Sequence, residues 1–265
     1  MPELTELDAT AARDWIARWD RQQEVYLADR EERFTALIDA VEVAAGRPDP
    51  LVIDLGCGPG SLSARLLRRL PSATVVAVDA DPVTLSLGRA AYGDLPGLRF
   101  LDLDLRSPDW VARLGIEPGR RVDAVVSTTA LHWLSAAELT DLYTTLAGLL
   151  RPGGLFLDGD HLRVSETDNP VLAGLDRALE ERESQRRFPD GHAGRAEDWG
   201  QWWAAVAADP VLAGASAERD RRTVHHHGPE GNLLAVHLGA LRAAGFGEVG
   251  TLWQRGGNRL LCAVR

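Results

Sequence analysis

Apolar residues recur at intervals of three and four, among charged residues, over positions 9–45. This is the period of an amphipathic α-helix, and the pattern predicts two such helices in succession. The segment GRPDP at 46–50 follows, and its glycine and prolines are typical of a helix end. The apolar run LVIDL comes directly after it and predicts a buried strand. Two helices are therefore expected before the first strand.

Strand-like and helix-like segments then alternate. The strand-like segments are LVIDL, TVVAVD, LRFLDLD, VDAVVS and LFLDGD. Strands that alternate with helices predict parallel pairing. Near the C-terminus, a helix pattern that ends at glycine precedes EVGTLWQ and NRLLCAVR, which a short turn joins into an antiparallel hairpin. The predicted fold is α/β, a doubly wound, Rossmann-like sheet of seven strands, mostly parallel with an antiparallel C-terminal hairpin.

The strand rhythm breaks between residues 161 and 228, where charged and tryptophan-rich helix-like stretches replace it. We interpret this segment as an insertion. The predicted organisation is an N-terminal helical cap at 1–46, a binding core at 47–161, a helical insertion over the substrate site at 162–228, and a C-terminal helix and hairpin at 229–265 that complete the core.

Composition narrows the class of protein. The 265 residues include no apolar run near the roughly 18 that a membrane span needs. The net charge of −10 disfavours a nucleic-acid partner, and the lack of lysine excludes a lysine-based mechanism. Two cysteines, Cys57 and Cys262, are too few for a disulfide framework. No export signal is recognisable, so we expect a cytoplasmic protein without membrane contact, a monomer or a homodimer.

The loop after LVIDL is the strongest functional signal. Gly56, Gly58 and Gly60 are spaced G-x-G-x-G, which differs from the G-x-G-x-x-G of dinucleotide sites. Glycines between a strand and a helix let a ligand approach the backbone closely. Asp54 precedes the loop, Asp79 ends the second strand and Asp104 ends the third. Acids here would repel phosphates, so the pattern favours an uncharged or cationic nucleoside whose ribose hydroxyls Asp79 could bind.

The segments DLGCGPG, VVAVDADP, FLDLDL, VDAVVSTTALHWL and LLRPGG resemble, in this order, the motifs of class I S-adenosylmethionine-dependent methyltransferases. The resemblance extends from about Leu51 to Arg265 and includes the last helix and hairpin. It implies S-adenosylmethionine as the cofactor, with S-adenosylhomocysteine as its product.

The resemblance also implies site residues. Those expected against the methionine part are Asp54, Gly56, Cys57, Gly58 and Gly60. Asp79 would bind the ribose hydroxyls, with Ala80 and Asp81 alongside the ribose and adenine, and Asp104 and Leu105 bordering the adenine. Asp102 competes with Asp104 for the exocyclic amine of the adenine. Ser127 and Thr128 would face the methyl donor and the substrate.

An N-terminal helix closes over the cofactor in several members of the family. Trp19, Tyr26, Arg30 and Arg33 are the aromatic and polar candidates for this contact, and Arg33 could bind the methionyl carboxylate. The alternative is that Tyr26 packs in the interior and that both arginines are solvated charges on a helix face.

Three residues are candidates for catalysis. His132 follows the fourth strand, where a general base could reach a substrate; a packed, hydrogen-bonded histidine is the alternative. Asp160 and His161 end the fifth strand and could orient or deprotonate a nucleophile, or cap a loop.

No metal site is expected. His225, His226 and His227 are consecutive, and consecutive residues of an extended chain point to opposite faces, so they cannot all bind one ion. Trp199, Trp202 and Trp203 have helical spacing, which favours packing of the insertion onto the core over an aromatic substrate pocket.

The function implied by the resemblance is methyl transfer to a small molecule by direct displacement, with a phenol, enol or carboxylate as acceptor. The ALHWL stretch is similar to the branch with trans-aconitate, biotin-pathway and natural-product methyltransferases, and no NPPY-like tetrad follows the fourth strand. The alternatives are a protein that binds the cofactor without transferring methyl, such as a regulator or a cofactor-assisted cyclase, and a nicotinamide-dependent oxidoreductase.

Overall fold

The structure is a computed structural model and describes residues 7–27, 29–189, 197–222 and 230–265. Its centre is a seven-stranded sheet of order β3-β2-β1-β4-β5-β7-β6. The strands are β1 (Leu51–Leu55), β2 (Thr74–Asp79), β3 (Leu98–Asp102), β4 (Val122–Thr128), β5 (Leu150–His161), β6 (Glu248–Arg255) and β7 (Asn258–Val264). The first five pair in parallel, and β7 is antiparallel to both β5 and β6. The predicted fold class is confirmed.

Helices connect the strands and flank the sheet. They are α1 (Ala9–Tyr26), α2 (Arg30–Ala45), α3 (Ser61–Arg69), α4 (Pro82–Tyr92), α5 (Ala136–Leu149), α6 (Pro170–Arg187), α7 (Trp199–Ala208), α8 (Ala213–Arg221) and α9 (Leu234–Ala243). Several begin at residues that favour helix starts: Asp81 caps α4 ahead of Pro82, and Ser135 forms a capping box with Glu138 at α5.

Alternate residues of each strand enter two separate cores. Ile53, Val125 and Phe156 belong to the core beneath α5 and α9, whereas Val52 and Ala124 belong to the core beneath α2 and α3. The central parallel strands β1 and β4 are covered on both faces and are buried almost throughout, which explains their continuous apolar sequences.

Helix α1 lies outside these layers. Its residues Trp15 and Ile16 pack with Val83 of α4 and with Trp202 of α7 in a third cluster. The N-terminal helix and the insertion therefore share a core of their own beside the sheet. The division of the chain into cap, core and insertion stays a prediction.

Two strand ends differ from expectation. β3 ends at Asp102, so Asp104 lies in the following loop. β5 begins at Leu150, before the predicted turn: Val122 pairs with Leu150 and Ala124 with Leu155, so residues 151–154 bulge out of the ladder. The glycines and proline thus make a bulge within a strand.

Among the described helices, none is long and apolar enough to cross a membrane.

Candidate functional site

A cleft of about 340 Å³ opens at the carboxyl ends of β1, β2 and β4. Strand order reverses between β1 and β4, and in open α/β sheets ligands bind in the crevice at such a point. The predicted cofactor residues that line the cleft are Gly56, Cys57, Gly58, Asp79, Ala80, Asp81, Asp104, Leu105 and Thr128. The described residues predicted for the site that do not line it are Arg33, Asp54, Gly60, Ser127, His132, Asp160 and His161.

The glycine loop folds back on the ends of β1 and β2. Gly56 and Gly58 have φ of 63° and 53°, values that glycine adopts without strain. A Cβ on Gly56 would lie 2.3 Å from Cβ of Ala130, which leaves no room for a side chain. Cys57 donates its backbone N–H to the Val78 carbonyl over 3.0 Å. The loop therefore presents bare backbone to the cleft.

Gly60 and Ser127 support the cleft from behind. Gly60 precedes α3 with φ of 82°, and a Cβ there would lie 2.6 Å from the Phe100 ring. The Ser127 hydroxyl is buried and donates to the Leu55 carbonyl over 2.9 Å, joining β4 to β1. Thr128, the next residue, lines the cleft.

Asp79 is held between the loop and α4. One carboxylate oxygen accepts the Gly58 N–H at 2.6 Å, and the other accepts the Asp81 N–H at 2.8 Å. Burial raises the pKa of Asp79 to about 6, although these hydrogen bonds favour the charged form. Each oxygen keeps a further lone pair for a ligand hydroxyl.

Asp54 lies beneath the loop. It is 1% exposed, and its carboxylate accepts the Ser63 hydroxyl at 2.6 Å. Burial raises the pKa of Asp54 to about 7, and repulsion from Asp79 acts in the same direction. The two acids concentrate negative potential behind the cleft, a field that a cationic ligand would relieve.

The two candidate acids at and just after the end of β3, Asp102 and Asp104, have different surroundings. Asp104 lines the cleft, with one oxygen accepting the Arg106 N–H at 2.9 Å. Asp102 does not line it; its carboxylate binds the Arg222 guanidinium through two contacts of 2.7 Å and 2.9 Å. Of the two, only Asp104 lines the cleft, and its contact with the adenine stays a prediction.

At the N-terminal helices, Arg30 lines the cleft and Arg33 does not. Arg30 is 5% exposed, stacks 4.5 Å above the Phe34 ring and lies 3.1 Å from an Asp20 oxygen. Arg33 is fully buried against Gly159 of β5 and donates to Asn258 over 2.6 Å. Neither guanidinium is a solvated charge. The side chain of Tyr26 lies outside the described part of the chain.

His132 and Asp160 come together. His132 lies on the short helical turn Leu131–Trp133, and its Nδ1 is 2.8 Å from Oδ2 of Asp160. Burial alone would lower the pKa of His132, but the Asp160 carboxylate more than offsets this and raises it above its ordinary value. Both neighbours of His132, Leu131 and Trp133, line the cleft. The pair thus lies next to the cleft wall.

His161 is separated from this pair. Its Nε2 is 2.8 Å from Oε1 of Glu180 on α6, so its ring is turned toward the insertion. A carboxylate on the insertion therefore binds it, and the structure does not bring it to the cleft.

Of the three tryptophans of the insertion, one packs the insertion onto the core and two line the cleft. Trp202 is fully buried and packs edge-on against Trp15 at 5.7 Å, whereas Trp199 and Trp203 line the cleft together with Trp19. His225, His226 and His227 lie outside the described residues. Within the described ranges, no three His, Cys, Asp or Glu side chains are grouped to hold a metal ion.

Sequence reasoning missed several cleft residues. Thr129 lines the cleft with φ of 51°, a strained value for a β-branched residue, and sequence carries no sign of it. Arg219 of α8 also lines the cleft, and its charge was hidden among the many arginines of the insertion. Ala130 and Trp133, in contrast, belong to the STTALHWL segment that follows β4 and lay within reach of motif analysis.

Comparison with known proteins agrees with this site. The methyltransferase-domain family matches residues 52–154, which include the glycine loop and the ends of β2 and β4. Trans-aconitate 2-methyltransferase of Methylobacterium radiotolerans is 31% identical over 231 residues, with 80% of this chain and 74% of the relative covered. The enzyme of the same name from an Azoarcus species is 33% identical over 165 residues, with 59% of each chain covered.

A solved structure shows the same fold. Human N-acetylserotonin methyltransferase in complex with S-adenosylmethionine superposes with a TM-score of 0.54 at 15% identity, over 97% of this chain and 57% of the human one. The family match, the identity to the Methylobacterium relative and the order of motifs around the cleft lead to one conclusion. The chain belongs to the class I S-adenosylmethionine-dependent methyltransferases.

Proposed function

We propose that this protein transfers the methyl group of S-adenosylmethionine to a small organic acid. The observation that carries the proposal is the cleft itself, in which Asp79 is fixed by backbone N–H groups of the glycine loop and of the α4 N-terminus. Family membership supplies the reaction type, because the same motifs define the methyltransferases that this chain resembles.

The residues present fit the cofactor. Asp54 is a buried acid and Asp79 a half-buried one, both with raised pKa values, and a ligand with a sulfonium and an ammonium group would stabilise their charged forms. Gly56 and Gly58 leave room for close contact with the backbone. In this assignment Asp79 accepts the ribose hydroxyls and Asp104 borders the adenine.

Arg30 takes the role first assigned to Arg33. Within the described parts of the N-terminal helices, Arg30 is the arginine that lines the cleft, and Phe34, against which it stacks, lines the cleft too. Its Nη1 lies beside Asp20 and its face lies against Phe34, so its position is fixed before any ligand binds. We assign to Arg30 the carboxylate of the methionyl group, since a guanidinium binds a carboxylate in two-point fashion.

The names of the relatives support a carboxylate acceptor. Both curated relatives methylate trans-aconitate by name, an acid that would require cationic partners. Arg106 supplies a second guanidinium to the cleft lining, held by Glu138 at 3.0 Å and by the Trp133 carbonyl at 3.1 Å. These bonds orient Arg106 along the wall that carries His132.

Methyl transfer requires little acid–base chemistry from the side chains. S-adenosylmethionine supplies a methyl group that is already activated, because its sulfonium sulfur departs as a neutral thioether. The protein aligns the acceptor and excludes water, tasks for which Trp19, Trp133 and Trp203 provide the walls. For a carboxylate no proton has to move. For a hydroxyl acceptor, we propose His132 as the general base, because Asp160 holds its ring and its neighbours Leu131 and Trp133 line the cleft.

The first test is calorimetric titration of the purified protein with S-adenosylmethionine and S-adenosylhomocysteine, with NAD as the negative control. We expect Asp79→Ala to weaken binding by about tenfold or more, because charge-assisted hydrogen bonds to the ribose are lost. Asp141→Ala, which removes an exposed acid from α5, is the matched control and should bind as the wild type does. Unchanged affinity in Asp79→Ala would contradict the ribose assignment.

The acceptor is tested by incubating the protein with S-adenosylmethionine and trans-aconitate, or related di- and tricarboxylic acids, and by mass analysis of the products. The expected product is a monomethyl ester. Cofactor binding without methyl ester from any of these acids would contradict the carboxylate acceptor and leave the cofactor assignment intact.

A further inference from the structure

The insertion closes over one end of the cleft through a continuous series of contacts. Trp19 of α1 lies above the glycine loop, with its ring 3.8 Å from where a Cβ on Gly58 would stand. Trp203 of α7 packs edge-on against Trp19 at 6.5 Å. The Arg219 guanidinium of α8 stacks 3.8 Å above the Trp203 ring, and its Nε donates to Asp81 over 2.7 Å.

These contacts form a ring with the cleft floor. On one side of the ring, the Asp79 carboxylate accepts hydrogen bonds from the backbone N–H groups of Gly58 and Asp81. On the other side, Trp19 lies over Gly58, Trp203 packs between Trp19 and Arg219, and Arg219 binds Asp81. All six line the cleft. The ring therefore surrounds the place next to Asp79 where the proposed function puts the ribose.

A second arginine of the insertion ties it to the same end of the sheet. Arg222 binds both carboxylate oxygens of Asp102 at the end of β3, at 2.7 Å and 2.9 Å. It also donates to the Ala80 carbonyl over 2.8 Å, immediately after Asp79. Two-point binding of this kind fixes direction as well as distance. Arg222 thus holds the end of α8 across the mouths of β2 and β3.

Helices α7 and α8, which carry Trp203 and Arg219, are anchored differently. Trp202 and Val206 of α7 are buried in the cluster shared with α1 and α4, whereas α8 has no buried residue. Two ion pairs join α8 and its C-cap to the rest of the molecule, and their side chains are between 20% and 36% exposed. Ion pairs with this much exposure to water are weak. Helix α8 can consequently separate from Asp81 and Asp102 while α7 stays packed against α1 and α4.

We propose that Trp203 and Arg219 of the insertion are cofactor-binding residues that close the adenosyl end of the cleft, and that the cofactor exchanges when α8 releases Asp81 and Asp102. Arg222 is a positioning residue, because it acts by holding α8. This assignment rests on the proposed function, and it gives the insertion a task toward the cofactor in addition to the acceptor.

The test measures release of S-adenosylhomocysteine from the whole protein by stopped flow, using the fluorescence of the tryptophans at the cleft. We expect Arg219→Gln/Arg222→Gln to release it about tenfold faster than the wild type, since two ionic contacts that oppose opening are removed. The single variants should show smaller accelerations. Higher salt should speed release from the wild type and have much less effect on the double variant, because screening weakens the same pairs.

Arg221→Gln is the matched control. Arg221 lies on the same helix, is 68% exposed and pairs with Glu218 of that helix. Its loss removes one positive charge, as each single variant does, but no contact between α8 and the rest of the cleft. Release from this variant should equal that from the wild type. If the double variant also releases at the wild-type rate, the role of the insertion is overturned. If the wild type fails to bind S-adenosylhomocysteine, the cofactor assignment itself falls.

Hydrogen exchange gives a readout that does not depend on side-chain fluorescence. We expect the backbone amides of α8 to exchange more slowly when S-adenosylhomocysteine is bound, and those of α5, on the far side of the sheet, to remain unchanged. Equal exchange of α8 with and without the probe would overturn the closure.

Discussion

Gly159 of β5 leaves the space that the buried guanidinium of Arg33 occupies. A Cβ at this position would lie 2.8 Å from Nε and 3.0 Å from Cδ of Arg33. The guanidinium cannot move aside easily, because Arg33 is fully buried and bound to Asn258 over 2.6 Å. Gly159 also stands between Asp158 and Asp160, so the arginine lies across the strand from two acids whose charges favour its own.

Gly159→Ala should therefore destabilise the protein by about 2–3 kcal/mol, the cost of overpacking a site that cannot relax. Urea unfolding followed by circular dichroism measures the change. The control is Gly174→Ala on α6, where a Cβ would meet nothing within 4 Å. There the higher helix propensity of alanine should stabilise by roughly 0.5–1 kcal/mol. A neutral Gly159→Ala would mean that Arg33 is not fixed.

At the residue scale, the sequence located cleft positions where a motif fixes the backbone and could not choose between two equivalent side chains. Asp79, Gly56 and Gly58 line the cleft, because a strand end and positive φ values leave few choices, and the ligand contacts assigned to them stay predictions. Arg30 and Arg33 are three positions apart on α2, and periodicity cannot tell which of them meets the cleft and which meets Gly159. That choice depends on how α2 lies across β5, which only the assembled sheet determines.

Two side chains of helix α7, Trp202 and Val206, are buried against the rest of the molecule, and Trp202 is the larger. Trp202 is fully buried, with its ring 5.7 Å from that of Trp15 and 4.9 Å from that of Trp19. The neighbouring Trp199 is 39% exposed. Spacing alone made the three tryptophans of this helix equivalent, and tertiary packing separates them.

Trp202→Ala should lower the free energy of unfolding by about 3–5 kcal/mol, because it leaves a large cavity between α1, α4 and α7. Trp199→Ala should cost less, about 1–2 kcal/mol, since this side chain is already 39% exposed and its removal leaves no closed cavity. Chemical denaturation of both variants tests the difference. Similar losses in the two would show that α7 is anchored along its whole length rather than at Trp202.

At the level of elements, the core strands were predictable and the insertion was not. Buried parallel strands have apolar sequences bounded by turn residues, which a single sequence displays clearly. The charged sequence of α6 identifies a helix and leaves open where it docks. The contact of Glu180 with His161 that helps to orient it joins residues 19 positions apart. Such pairings have no local signature.

The whole molecule carries excess negative charge, and part of it is buried beneath the site. Burial raises the pKa of Asp54 to about 7 and of Asp79 to about 6, and raises that of Asp158 well above its ordinary value. The folded protein therefore binds more protons than the unfolded chain between about pH 4 and pH 7, so its stability falls as pH rises through this range. The raised pKa of His132 acts in the same direction, and the lowered pKa of His237 opposes it.

We expect the ligand-free protein to melt a few degrees higher at pH 5.5 than at pH 7.5. The stabilisation by S-adenosylhomocysteine should show the reverse trend, larger at pH 7.5, because Asp79 must be ionised to accept two ribose hydroxyls. Thermal melts at both pH values, with and without the ligand, measure both effects. In Asp79→Asn, the pH dependence of the ligand effect should become clearly smaller, with the remainder due to Asp54. A ligand shift independent of pH in the wild type would exclude Asp79 as the titrating group.

The two cysteines have a practical consequence. Cys57 and Cys262 are each 8% exposed, and burial raises the pKa of the Cys57 thiol well above its usual value and that of Cys262 to about 11. Both thiols stay protonated and shielded at neutral pH, so they react slowly with alkylating reagents. A single cysteine introduced on the exposed side of α8, as in Arg221→Cys, would take a spin label or a dye without removal of the native pair. With a second cysteine introduced at an exposed position of β6, the labelled pair would report the distance between α8 and the sheet.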